Sequence, residues 1–310
     1  MDAIAVVGEA VADAVAVPGD GALRLDITPG GSPANTAVAL SRLGTTARYL
    51  GRLSTGVLGG RLRHHLEASG VDLSGSVATD RHATLAITAL DEAGKAAYDF
   101  YLDETADWHW TAAELADPAP GAGAVHTGSL ALAIAPGAAL ITDYLRRMRP
   151  TATISIDPNA RPGMVDAATY RELFPLWTTI ADIIKVSDDD LAHVYPNADE
   201  TRLRAAWHAA GVRLVVVTRG ASGATVSLNG ETRDVASRPI RVADTIGAGD
   251  AFSAGLLHRL NEAAALGGRL DDLCLDAAVD AAAFAARVAE RVCAVPGADP
   301  PWAVDLEGPA

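Results

Sequence analysis

The chain of 310 residues carries 39 acidic against 25 basic side chains, a formal net charge of −14 at pH 7. It has no run of Lys or Arg, and so lacks the basic footprint that nucleic acid or an anionic membrane surface requires of a partner. Hydrophobic residues make up 49%, enough for a sizeable core, while two cysteines are too few for a disulfide framework and fit a reducing cytoplasm.

The chain opens on Ile4–Val7, an apolar run that reads as a first β-strand rather than a signal peptide, since no basic segment precedes it. Near-continuous apolar runs recur at Ala47–Leu53, Ala124–Thr127, Thr153–Ile156, Asp182–Val186 and Leu214–Thr218, as expected of parallel strands buried on both faces. Helical periodicity lies between them, at Ala34–Leu43, Leu58–Ala68, Gly137–Met148, Ala167–Trp177 and Glu200–Ala210, and dominates from Gly249 to about Ala289. The alternation predicts an α/β fold: a wound, mostly parallel central sheet flanked by helices. Residues 10–29 and about 77–104 break the rhythm with β-formers, and Asp91-Glu92-Ala93-Gly94-Lys95 between two such runs predicts a hairpin turn. A small β-strand lid over the ligand crevice is therefore expected, within one domain spanning 1–310. No stretch of about 18 apolar residues is uninterrupted, so no membrane span is expected.

Two segments carry chemistry. Gly30-Gly31-Ser32-Pro33-Ala34-Asn35 stands at a helix start, where Ser32 suits the N-cap and Pro33 the first helical position. Its glycine pair permits close approach of a ligand, and Asn35 offers donor and acceptor to a polyol. The second is Asp244-Thr245-Ile246-Gly247-Ala248-Gly249-Asp250, followed by an apolar helix. Small residues at 247–249 free the backbone N–H groups of a helix N-terminus, which bind an anion. Asp250 would repel that anion unless a substrate hydroxyl lies between them and gives its proton to Asp250 as a phosphoryl group arrives. Read locally, Asp250 serves equally well as a helix cap.

Together, in this order, the two segments resemble the two sequence patterns of the PfkB/ribokinase family of carbohydrate kinases, in its fructokinase-like branch. The likeness covers essentially the whole chain. Gly8-Glu9-Ala10 with Asp13 is similar to the family's first strand and substrate loop, and Asp157-Pro158-Asn159-Ala160-Arg161 to its D-x-N-x-R element. Thr218-Arg219-Gly220-Ala221-Ser222-Gly223 is similar to its nucleotide-binding turn, and Val295-Pro296-Gly297-Ala298-Asp299-Pro300 to its usual end. No G-x-x-x-x-G-K-[ST] occurs, and no G-x-G-x-x-G follows the first strand.

The resemblance implies a ribokinase-like fold and transfer of the ATP γ-phosphate to a primary hydroxyl of a small sugar. Fructose or a related ketose comes first, with ribose, 2-keto-3-deoxygluconate and a nucleoside as alternatives. Asp250 would be the base, with the N–H groups of Gly247, Ala248 and Gly249 holding the phosphate. Asp13, Gly31, Asn35 and Asp244 would bind the sugar, and Arg161 would neutralise phosphate or a substrate carboxylate. Asn159, Arg161, Thr218, Gly220, Ser222 and Gly223 would line the nucleotide site with Gly247 and Gly249. ATP and Mg²⁺ are implied, with K⁺ as a further candidate. Where the family carries N-x-x-E this chain has Ser187-Asp188-Asp189-Asp190, so Asp190 is expected either to reach Mg²⁺ through water or to cap a helix. Ser54-Thr55-Gly56-Val57-Leu58-Gly59 also lacks the family's acidic residue before the glycine. A homodimer through the lid's open edge is a further expectation, and a regulator that binds sugar or nucleotide without transfer is the rival reading.

Other residues are assigned to packing. His126 reads as a core histidine, Trp108-His109-Trp110 as a plug, and Cys274 and Cys293 as small core residues. Tyr98 and Phe100 alternate with Asp99 and Tyr101, so each pair takes one face of its strand.

Overall fold

Every side chain of Ile4–Val7 (β1) is buried, as an unbroken apolar run requires. The computed structural model describes residues 2–17, 23–90, 96–117 and 119–306. After β1 come β2 (Val11–Val17), β3 (Arg24–Gly30), α1 (Ser32–Arg42), β4 (Ala47–Leu50), β5 (Arg52–Ser54), α2 (Val57–Ala68), β6 (Val77–Thr79), β7 (Thr84–Leu90) and β8 (Ala96–Tyr101). The middle of the chain forms β9 (Ala124–Gly128), α3 (Gly137–Met148), β10 (Thr153–Asp157), α4 (Ala167–Ile180), β11 (Ile183–Ser187), α5 (Asp188–Val194) and α6 (Glu200–Ala210). It closes with β12 (Leu214–Thr218), β13 (Ala224–Leu228), β14 (Glu231–Val235), α7 (Ala248–Glu262), α8 (Leu275–Cys293) and α9 (Ala303–Leu306).

Eight strands form one sheet in the order β14-β13-β12-β11-β10-β9-β1-β4. Pairing is parallel from β12 to β4 and antiparallel at β13 and β14. Alternate side chains feed two cores. Ile4, Val6, Leu214 and Val216 meet residues of α1, α7 and α8 on one face. Ala5, Val7, Val215 and Val217 meet those of α3, α4 and α6 on the other. Chain order reverses beside β1, which has β4 on one side and β9 on the other, so the C-terminal ends of β1 and β9 flank a topological switch point. Ligands of open α/β sheets bind there.

The predicted strand Ala47–Leu53 is two strands. The chain leaves the sheet at Gly51, and β5 pairs instead with β6 in a separate two-stranded sheet. Nothing in the sequence announces β14, whose residues are exposed at four of five positions.

A second sheet of four strands, β3-β2-β7-β8, lies apart from the large one. It matches the expected lid, except that Val77–Thr79 belongs with β5 and the sheet begins at Thr84. The predicted turn Asp91–Lys95 and residues 18–22 of the β2–β3 connection lie outside the described residues. Register puts Asp13, Ala86 and Phe100 on one face. Tyr98 shares that face and stacks on Phe100 at 5.7 Å between ring centroids, while Asp99 and Tyr101 take the other.

The lid is rooted by one buried carboxylate. Asp107 accepts from Ala10 N (3.0 Å), just ahead of β2, and from the Thr84 hydroxyl (2.6 Å), the first residue of β7. Trp108 and Trp110 beside it are buried, as a packing plug should be. His126 bonds Ser155 (3.0 Å) in the core and is held neutral, its pKa pushed down to about 3 by burial and by Lys185. The expectation for the cysteines is corrected: Cys274 is exposed at the start of α8 and Cys293 is half-buried. Among the described residues, no helix is long and apolar enough to cross a membrane.

Candidate active site

The turn into α7 holds the site's centre. Gly247 is the N-cap at φ 77°, and a Cβ there would meet Ala298 at 2.7 Å, so only glycine fits both the backbone and the space. No side chain caps this helix. Among the described residues the N–H groups of Gly247 and Gly249 have no backbone partner, whereas Ala248 N turns back to Thr245 O at 3.3 Å. The cradle is therefore formed by Gly247 and Gly249, with Ala248 partly engaged.

Asp250 follows in the first turn and is buried. Ser32 Oγ donates to its Oδ1 (2.6 Å) and Asn35 Nδ2 to its Oδ2 (2.9 Å). Burial raises its pKa above the usual carboxylate value, against the lowering effect of these two bonds and of Arg161. These contacts correct the expectation for Ser32. Gly31, not Ser32, is the N-cap of α1, with no side-chain cap; the serine is the first residue inside the helix and turns its hydroxyl to Asp250.

Sequence reading missed Lys185. It lies in β11, buried, with its Nζ 2.8 Å from Asp157 Oδ2, which also accepts from Ser253 Oγ at 3.1 Å. A Cβ on Gly249 would lie 3.0 Å from the same Nζ, so this ammonium faces the anion cradle. Burial alone would lower the lysine pKa, but Asp157, with Asp190 and Asp250 near it, holds it above the ordinary value. The available signal was a single cation inside Ile183-Ile184-Lys185-Val186, a run that a doubly covered strand fills with apolar residues.

On the lid side, Asp13 faces Asp250 and Arg161. Its pKa is raised to about 6, by burial first and by Asp250, with Arg161 opposing. Arg161 is exposed, so its charge is available to a ligand. Gly31 is required by packing: at φ 96° a Cβ would meet Glu9 O at 2.7 Å and Val11 N at 2.9 Å, so this glycine admits a neighbouring chain segment. The Asp244 carboxylate accepts from Thr245 N (2.7 Å), Ile246 N (3.1 Å) and Gly297 N (2.9 Å). It ties the turn to the C-terminal loop, and one lone pair of its Oδ2 stays open.

On the other side of the turn is a largely apolar cavity of about 420 Å³, lined by Thr218, Gly220, Gly223, Ala248, Gly249 and Phe252 among others. Ser222 does not line it; its N–H closes a turn onto Arg219 O. Asn159 sits at φ 40°, and its Nδ2 is buried without a partner among the described residues. A buried donor left open fits a polar ligand.

Asp190 takes the capping alternative. Its Oδ2 accepts from Ser187 N (3.0 Å) and Oγ (2.6 Å), and its Oδ1 from Ala160 N (2.8 Å). One lone pair remains for a water. Among the described residues no cluster of three His, Cys, Asp or Glu side chains could hold a metal ion.

Glu9 is buried beneath the site with Ala131 N donating to it at 3.1 Å, and its pKa is raised to about 7, chiefly by burial. The folded state binds this proton more tightly than the unfolded chain. Stability therefore falls as pH rises from about 4.5 to about 7, by a contribution on the order of 3 kcal/mol. Glu9→Gln is expected to remove that slope, giving a smaller difference in thermal stability between acidic and mildly alkaline buffer than the parent shows.

The pfkB family carbohydrate kinase matches residues 1–302 of the chain. Fructokinase from Rhizobium leguminosarum bv. trifolii is 36% identical over 232 residues, 74% of this chain and 71% of the relative. The crystal structure of fructokinase with bound ATP from Xylella fastidiosa superposes with a TM-score of 0.87 at 26% identity, over 98% of this chain and 97% of that one. A fructokinase double mutant from Vibrio cholerae, bound to fructose, ADP and potassium ion, gives 0.79 at 26% identity over 96% and 94%.

Proposed function

Given that the chain belongs to the pfkB family of carbohydrate kinases, we propose that it transfers the γ-phosphate of ATP to a primary hydroxyl of fructose. The observation that carries this reading is a buried carboxylate, Asp250, fixed by Ser32 and Asn35 one residue past the open N–H of Gly249. A sugar hydroxyl between them forms a bond to the γ-phosphorus, the bond from that phosphorus to the ADP oxygen breaks, and the hydroxyl proton passes to Asp250. The Gly247 and Gly249 N–H groups and Lys185 take up the charge on the phosphoryl oxygens. Asn35 gives one amide hydrogen to Asp250, so its second amide hydrogen and its amide oxygen remain for the sugar.

ATP would occupy the apolar cavity beside Gly223 and Phe252, with Asn159 and Arg161 at its phosphates. Mg²⁺ would ride on those phosphates and offset their charge, with Asp190 reaching it through water. K⁺ is supported by the relative crystallised with potassium ion. The lid would lower Asp13 and the Tyr98–Phe100 stack onto the sugar and exclude water. Fructose is supported over ribose or a keto-acid by the fructokinases among the relatives. ATP turnover against fructose, ribose, 2-keto-3-deoxygluconate and adenosine tests the assignment. Stimulation by fructose well above the others is expected; stimulation by none of them favours the regulator reading.

The lid also supports a homodimer. Strands β3 and β8 are its outer strands, and Leu23, Val15, Tyr98 and Tyr101 are exposed on it. Light scattering is expected to give twice the chain mass, and a monomer at every accessible concentration overturns the dimer. A cytoplasmic setting is supported by the free thiols of Cys274 and Cys293 and by the need for ATP.

A further inference from the structure

A cavity of about 860 Å³ lies behind the nucleotide cavity, between α7, α8 and α9. Four arginines line it, Arg238, Arg259, Arg287 and Arg291, against two carboxylates, Glu262 and Glu290. Both carboxylates are committed. Glu262 pairs with Arg259 at 3.1 Å, and Arg259 is further held by Asp280 at 2.7 Å. Glu290 accepts from Ser237 Oγ (3.1 Å) and from the Arg238 backbone N–H (2.7 Å). Arg287 stacks over Phe284 at 5.4 Å. Among the described residues, the guanidinium groups of Arg238, Arg287 and Arg291 have no carboxylate partner. Three unpaired guanidinium groups against the single carboxylate there without a basic partner, Glu290, make the concavity net positive on a chain whose formal charge is −14.

Guanidinium forks match phosphate oxygens two at a time. Arg287 and Arg291 are four residues apart on α8, so they project from one side of it. Leu43, Phe284 and Leu306 add apolar wall, and the volume is that of a site for an organic molecule rather than a bare ion. We propose that this cavity is a second ligand site, taking a small organic phosphate with its phosphate on Arg287, Arg291 and Arg238 and its body against Phe284 and Leu306.

The site has a built-in connection to catalysis. Arg238, Pro239, Ile240 and Glu290 line the nucleotide cavity as well, so the segment 238–240 is a wall with a ligand on each face. A molecule that draws Arg238 toward Arg287 moves that wall, and the two affinities are linked reciprocally.

Calorimetry on the full chain tests this with the catalytic site filled by fructose and a non-hydrolysable ATP analogue. Inorganic phosphate, fructose 6-phosphate and a nucleoside monophosphate are titrated as separate probes. The expected result is one further equivalent of an organic phosphate, bound at least tenfold more weakly by Arg287→Ala/Arg291→Ala, two exposed positions. That variant keeps the parent kcat and sugar KM, and the shift in ATP KM that the probe produces in the parent disappears in it. Failure of every probe to bind, or equal binding by parent and variant, overturns the proposal. Inorganic phosphate binding as tightly as the organic probes overturns the organic-ligand assignment.

Discussion

Asp250→Asn is expected to lower kcat by about 10²–10⁴-fold, the range for losing a positioned general base, with sugar and ATP affinities changed only severalfold. The side chain keeps its size, and its surroundings need one adjustment. The new amide would present an NH₂ where Asp250 Oδ2 now accepts from Asn35 Nδ2, and rotation of the Asn35 amide turns its oxygen to meet it. The hydrogen-bonded frame survives while the proton acceptor is lost. The pH profile supplies an independent reading. Asp250 must be ionised to accept a proton, and burial raises its pKa, so kcat in the parent falls on the acid side above the ordinary carboxylate range. That limb should be absent from the residual activity of the variant. A variant that retains near-normal kcat, or the same acid limb, removes Asp250 from the role of base.

Lys185→Met is expected to damage two properties that can be measured apart. Removing the ammonium leaves Asp157 as a buried carboxylate without its counter-ion, which costs about 3–5 kcal/mol of stability. It also removes a cation that faces the Gly249 cradle, and kcat is expected to fall by about 10²–10³-fold, as for other preorganised groups that stabilise developing charge. Asp157→Asn separates the two. In the double variant stability should recover, because no buried charge is left unpaired, while kcat should stay low. Recovery of both in the double variant would mean that Lys185 acts only as the partner of Asp157.

The parts of the molecule that depend on local pattern were legible in the sequence. The parallel strands are continuous apolar runs, and the G-A-G-D turn carries its chemistry within four residues. The parts that depend on which distant groups meet were not. Ser32 suits an N-cap by every local rule, yet it lies one residue inside α1 and its hydroxyl donates, at 2.6 Å, a charge-assisted bond to a carboxylate 218 positions along the chain. Asp244 fits a sugar ligand by motif, but backbone N–H groups of the turn that it opens and of Gly297 take three of its four lone pairs. Lys185 breaks the apolar run of its strand, and only the fold shows that Asp157 on the next strand makes the burial tolerable. The split between β4 and β5 escaped notice because periodicity registers burial and not the identity of the sheet that provides it.

The carboxylate at the lid's base has a consequence for how sugar preference can change. Asp107 grips the chain just before β2 and the first residue of β7, so the two inner strands share a single fulcrum for the closure proposed above and would swing as one leaf. Residues farther out, such as Tyr98 and Phe100, share the face of Asp13 without touching that fulcrum. Preference and closure are therefore mechanically independent. Substitutions along the leaf re-tailor which sugar is covered while the stroke of the cover stays the same, and a change at Asp107 alters the stroke for every sugar alike.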